Sequence, residues 1–386
     1  MTSPGIDLAP GGTADGPTGL TAHLATRRVL ICCGSGGVGK TTTAAALALA
    51  AARAGRRACV VTIDPARRLA DALGAEEITN SPHRIDGPWA GELSAVMLDA
   101  KGTFDDLIER YARDPEQSKR ILDNRLYRNL VSALSGTQEY MATEKLFELD
   151  ASGRFDLVVV DTPPTHHALD FLDAPSRLTG FLDNRVFRVL LTPGRSYMKA
   201  MNAASQVLLR TIGKVAGSEI VEDTVAFFQA FEGMEEGFRE RAARVEQLLA
   251  AEGTGFIVVA SPRRDSIEEA EFFTGKLNEG RHVVDALVVN RVHPDFGPPL
   301  APDAGVGGAG SSAWEVLGAN LAEMATVVRR ERSYLASLTA AVAPAPVVLV
   351  PLLEDDVHDL AGLDGVVRHL VGGTLPLPGG QGDSRQ

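Results

Sequence analysis

Val29-Leu30-Ile31-Cys32-Cys33-Gly34-Ser35-Gly36-Gly37-Val38-Gly39-Lys40-Thr41-Thr42 decides the fold. Five apolar residues read as a buried strand, and directly behind them stands the G-x-x-x-x-G-K-[ST] phosphate loop. Its glycines let consecutive backbone N–H groups turn inward on a polyphosphate. Lys40 brings a point charge to the β- and γ-phosphates, and the Thr41 hydroxyl is placed to ligate Mg²⁺. The alanine-rich stretch Thr41–Ala50 reads as a helix whose positive N-terminus faces the same phosphates. The expected phosphate-side contacts are therefore Gly34, Ser35, Gly36, Gly37, Val38, Gly39, Lys40, Thr41 and Thr42.

Outward from this stretch, short runs rich in Val and Ile recur between helical patterns: Ala58–Ile63, Leu93–Leu98, Leu157–Val160, Phe256–Ala260, Ala286–Val289 and Val347–Val350. Runs this short and apolar on both faces indicate parallel strands covered by helices on both sides. The expected fold class is α/β: a P-loop NTPase with a central, mainly parallel sheet of seven or eight strands flanked by helices, plus a helical subdomain. Right-handed crossovers then place the phosphate loop at the carboxyl edge of the sheet. Helical insertions are expected at about 102–149 and 171–253. In the second, Phe238, Ala242, Val245 and Leu249 recur at helical spacing. The expected organisation is one domain over 27–370, with a loop at 293–312 and disordered tails at 1–26 and 371–386.

Hydrolysis needs a carboxylate near the metal and a group that orients water. Two apolar runs end in acids: Leu157-Val158-Val159-Val160-Asp161 and Thr62-Ile63-Asp64-Pro65. Asp161 is the candidate for holding Mg²⁺ through water beside Thr41. Asp64 is the candidate for positioning the attacking water, with Lys40 as the other catalytic group. The alternative for each acid is a helix N-cap at a strand-to-helix turn.

Three segments together resemble the arsenite-pump ATPase family, which includes ATPases that guide tail-anchored proteins to membranes. They are Gly34–Thr42, Asp64-Pro65-Ala66 and Asp161-Thr162-Pro163-Pro164-Thr165-His166-His167-Ala168-Leu169. The resemblance implies that Asp64 stands in switch I and that the segment from Asp161 is switch II, which couples phosphate state to the helical part. It implies ATP as the nucleotide, with Asn290 on the adenine side and Pro351 and Leu352 in a second adenine-side loop. ATP and Mg²⁺ are the expected cofactors. Two departures stand out. Ser35 replaces a lysine that, in the family, reaches across a dimer to the partner's phosphates, and a cation of that kind can carry orders of magnitude in rate. Hydrolysis is then slow, or a lysine-bearing paralogue completes a heterodimer. His166 replaces a glycine, while His167 matches the family histidine. The cysteine triplet and the zinc-clamping C-x-x-C of some relatives are absent, so neither arsenite nor zinc is an expected ligand.

Partners follow from what remains. A homo- or heterodimer with a related ATPase is expected, with a membrane-protein client or a membrane subunit as the output. Phe181, Leu182, Val186, Phe187, Leu190 and Leu191 could line a client groove or pack inside, and Met198 and Met201 are the one methionine pair there at helical spacing. The net charge of −12 and the lack of a basic stripe argue against nucleic acid. No apolar stretch is long enough for direct membrane insertion. The opening residues lack a secretion-signal profile, and Cys32, Cys33 and Cys59 read as core residues with no disulfide framework. Both observations lead to a cytoplasmic expectation.

Overall fold

The computed structural model describes residues 19–64, 68–125, 127–128, 137–163, 165–183, 226–227, 229–297 and 312–372. Strands β1 (Val29–Cys33), β2 (Arg57–Thr62), β3 (His83–Ile85), β4 (Glu92–Met97), β5 (Leu157–Asp161), β6 (Thr254–Ala260), β7 (Val284–Val292) and β8 (Val347–Pro351) form one sheet. Its order is β3-β4-β2-β5-β1-β6-β7-β8. Every neighbouring pair is parallel except β3–β4.

The strands are apolar on both faces because each face has its own core. Leu30, Cys32, Val60, Val159, Ile257 and Val288 point to one side. Ile31, Cys33, Val61, Val160, Val258 and Val289 point to the other. That alternation is the pleat of a strand buried on both sides. On the first side lie α3 (Arg68–Leu73) and, against it, α2 (Lys40–Arg53), with Ala44 to Ala52 all buried. Its side chains are short enough to let it sit close under β2 and β5, packed against α11 (Leu360–Val371).

Two elements differ from the sequence reading. Residues 19–26, placed there in a flexible tail, form α1 (Gly19–Thr26), with Leu20 and Leu24 buried in the same core as α2. Two leucines four residues apart are too brief a pattern to register as a period. The edge strand β3 has only Ile85 buried and runs antiparallel, so no apolar run marks it. At the other end, α11 runs to Val371 and stops at Gly372, which adopts φ 68°.

A helical layer stands beside the sheet: α4 (Ala100–Tyr111), α5 (Pro115–Leu122), α6 (Thr137–Ala151), α7 (Thr165–Asp183) and α8 (Glu235–Leu249). Leu107, Ile121, Tyr127, Met141, Phe231 and Phe238 belong to its separate core. Phe238, Ala242, Val245 and Leu249 are buried, as their spacing indicates. Three helices bridge the two cores. In α6, Met141 lies in the helical core and Leu146 under the sheet; in α7, Phe171 faces the sheet and Ala174 the helical core; in α8, Phe238 and Val245 divide the same way. On the sheet side, α9 (Arg264–Glu279) packs against α10 (Ser312–Val342). The proposed groove residues Val186, Phe187, Leu190 and Leu191, with Met198 and Met201, lie outside the described residues, as does 298–311 of the long loop. Leu182 is buried.

Candidate nucleotide site

The central strand β1 lies between β5 and β6, so the loop leaving it opens where the sheet order reverses. Two of its glycines stand where no larger residue fits. A Cβ on Gly34 would lie 2.0 Å from Val259 O on β6, and one on Gly39 would lie 2.2 Å from Asn290 Nδ2. Gly39 also adopts φ 97° as the residue preceding α2.

Lys40 is buried and donates from Nζ to Ser35 O at 2.8 Å. Burial pulls its pKa below the ordinary lysine range, while the Asp161 carboxylate pulls it back up. The β2–β5 register sets Thr62 level with Asp161, and the β1–β5 register sets Cys32 there too. From that row, Thr41 Oγ1 donates to Asp161 Oδ2 at 2.7 Å and Thr62 Oγ1 donates to the same oxygen at 2.8 Å. Asp161 therefore serves the phosphate loop and the end of β2, not the amides of α7. Thr62 was not singled out from the sequence, although it stands two residues before Asp64 at the same strand end.

Asp161 is 2% exposed, and burial pushes its pKa upward against the two hydroxyl bonds and Lys40. Its Oδ1 is buried and has no hydrogen-bond partner among the described residues. A buried carboxylate oxygen without a donor is unfavourable unless a cation or its water meets it. Hydroxyl and carboxylate oxygens are the donor set Mg²⁺ takes. The residues at this point fit that ion.

Asp64 follows β2 on the same edge. Its N–H donates to Thr62 Oγ1 at 3.2 Å, and Arg68 Nη1 lies 3.4 Å from its Oδ2. Its side chain is about one-third exposed, so water can reach it. Pro65 and Ala66 lie outside the described residues, as do the side chains of His166 and His167.

Ser35 is turned inward. Its Oγ is 3.0 Å from Ser266 Oγ in the first turn of α9, and Ser266 Oγ also accepts from Ser261 N at 3.0 Å. The hydroxyl thus ties the loop to the β6–α9 turn. Asn290, on β7, donates from Nδ2 to Val38 O at 2.9 Å. Its neighbour Arg291 donates from Nη1 to Gly37 O at 3.1 Å. Pro351 ends β8, and Leu352 N donates to Val292 O at 2.9 Å, which keeps both beside this end of β7.

The sequence model of a family described as "Anion-transporting ATPase" matches residues 27–297. The chain is 25% identical over 340 residues to "ATPase ASNA1 homolog 1" of Paramecium tetraurelia, covering 86% of this chain and 88% of that protein. It is 28% identical over 263 residues to "ATPase GET3" of Malassezia globosa, covering 68% and 72%. It is 23% identical over 358 residues to "Putative arsenical pump-driving ATPase 1" of Aquifex aeolicus, covering 90% and 80%.

Proposed function

The chain belongs to the anion-transporting ATPase family, and on that footing we propose that its ATPase activity drives a Mg²⁺-dependent dimeric switch. Nucleotide state would control the helical layer, and a client or partner protein would read that layer. The observation that carries the reading is continuity. Asp161, with its buried partnerless oxygen, ends the strand that leads through Thr162 and Pro163 into α7, and α7 packs on α6 and α8 across both cores. A change at Asp161 therefore has a short covalent path into the helical layer.

The residues divide the work as follows. The loop from Gly34 to Thr42 cradles the triphosphate with its backbone N–H groups, and Lys40 exchanges its bond to Ser35 O for phosphate oxygens. Thr41 by its hydroxyl, and Asp161 through water, would hold Mg²⁺. Bound there, Mg²⁺ would supply positive charge to offset that building on the β- and γ-phosphate oxygens. Asp64 orients the attacking water, with its backbone fixed by Thr62. Asn290, Pro351 and Leu352 face the adenine side. The pump-driving name of one relative supports a membrane subunit as the output; a membrane-protein client is the other output that the family resemblance implies.

A second reading is favoured by Ser35. A hydroxyl bonded inward to Ser266 supplies no cation to a partner's phosphates, so a lysine-bearing paralogue would complete the site in a heterodimer. Sedimentation velocity and hydrogen exchange of the full chain with Mg²⁺-ATP and Mg²⁺-ADP test both. The switch requires a dimer with ATP that loosens with ADP, with altered exchange in α7. Identical mass and exchange in the two states would sink it. A dimer and faster turnover that arise only on adding the paralogue would select the second reading.

A further inference from the structure

Arg291 is held in a conformation that its own strand does not explain. It adopts φ 64°, a left-handed backbone that a residue with a Cβ enters only against steric strain. The β7–β8 pairing shifts register between Asn290 and Val292, so Arg291 is the residue the irregularity expels. Its guanidinium leaves the strand and reaches the phosphate loop, where one N–H bonds Gly37 O. The side chain remains exposed, and that bond uses one of its five N–H donors. Leu352, whose N–H bonds the carbonyl of the next residue, Val292, is 49% exposed.

We propose that Arg291 is a nucleoside clamp: it closes the loop at Gly37 and offers the flat face of its guanidinium to the base of the bound nucleotide, with Leu352 as the apolar neighbour. The phosphate cradle is built from N–H groups on the inner side of the loop, whereas Arg291 grips a carbonyl, on the side where Asn290 also grips Val38 O. A planar guanidinium can stack on an aromatic base, and the exposed apolar surface of Leu352 offers a phosphate no hydrogen bond. The inference rests on the nucleotide site of the proposed function.

Calorimetric titration of the full chain with Mg²⁺-ATP and with inorganic tripolyphosphate separates the base from the phosphates. Arg291→Gly removes the guanidinium and also relieves the left-handed backbone, so the variant stays folded. It should weaken ATP about tenfold and change tripolyphosphate less than about threefold. Arg291→Lys, which keeps the charge without the plane, should bind tripolyphosphate as the wild type does and ATP with an intermediate loss. Equal losses for both ligands would show a brace for the loop and overturn the clamp, as would unchanged ATP affinity in Arg291→Gly. Lys40→Ala serves as the control for the site itself. If it retained wild-type affinity for both ligands, the nucleotide site would be misplaced, whatever Arg291 does.

Discussion

Asp161 carries an electrostatic cost that a ligand would remove. Two hydroxyls bond one of its oxygens, the other has no partner among the described residues, and burial opposes its charge. A carboxyl whose folded pKa lies above the ordinary 3.8 binds its proton more tightly in the folded chain. Its contribution to stability is therefore present in full below 3.8 and lost as pH rises through the raised folded value. At neutral pH the ionised group is a net burden on the unliganded protein. Asp161→Asn keeps an acceptor for Thr41 and Thr62 while removing the charge. It should stabilise the unliganded chain by on the order of 1 kcal/mol in urea unfolding near pH 7. The gain should shrink as the pH falls toward 3.8, and the extra stability that Mg²⁺-ATP gives the wild type should disappear. A variant less stable than the wild type at pH 7 would show that the carboxylate is already compensated. The neighbouring thiols behave differently: burial pushes Cys33 up to about 12, which keeps it protonated and unreactive beside the loop.

At the scale of elements, the amino and carboxyl edges of the sheet have separate tasks. On the amino edge, Arg27 joins the end of α1 to β7 by two bonds to the buried Asp285, Nε to Oδ2 at 2.7 Å and Nη2 to Oδ1 at 2.6 Å. Truncating Arg27 would leave a buried carboxylate with His23, 3.6 Å away, as its one remaining cationic neighbour among the described residues. Arg27→Ala should therefore cost about 3 kcal/mol in unfolding free energy, while ATP affinity of the folded protein, measured by calorimetry, stays at the wild-type value. A parallel loss of affinity would mean that the two edges are coupled. In the helical layer the buried pair Glu144–Arg241, with Arg241 lying over the Phe147 ring at 3.9 Å, joins α6 to α8 in the same way. The elements differ in how far the sequence reveals them. The seven apolar strands are legible because burial leaves short runs of mainly apolar residues, interrupted only by Thr62 and Ser94. β3 and α1 are not, since one is a short solvated edge and the other depends on two leucines finding a core built by α2 and α11.

Across the whole molecule, the site gathers segments distant in sequence at the carboxyl edge of the sheet, around the end of β1. The phosphate loop, Asp161 and Asp64 are legible in the sequence because each is a local pattern, an apolar strand followed by its chemical group. The Ser35–Ser266 and Arg291–Gly37 contacts are not, because the paired residues stand 231 and 254 positions apart and are brought together only by the sheet order. The same geometry makes Ser35 an inward tie of the loop. The proposed hydrolysis bears most heavily on Asp64, a carboxylate that water reaches. Single-turnover hydrolysis of Mg²⁺-ATP by the wild type and by Asp64→Asn, with ATP affinity measured alongside, tests it directly. The variant should bind ATP with nearly unchanged affinity and release phosphate at least about 100-fold more slowly. Phosphate release by Asp64→Asn at the wild-type rate would contradict the assignment of the hydrolytic water to this carboxylate.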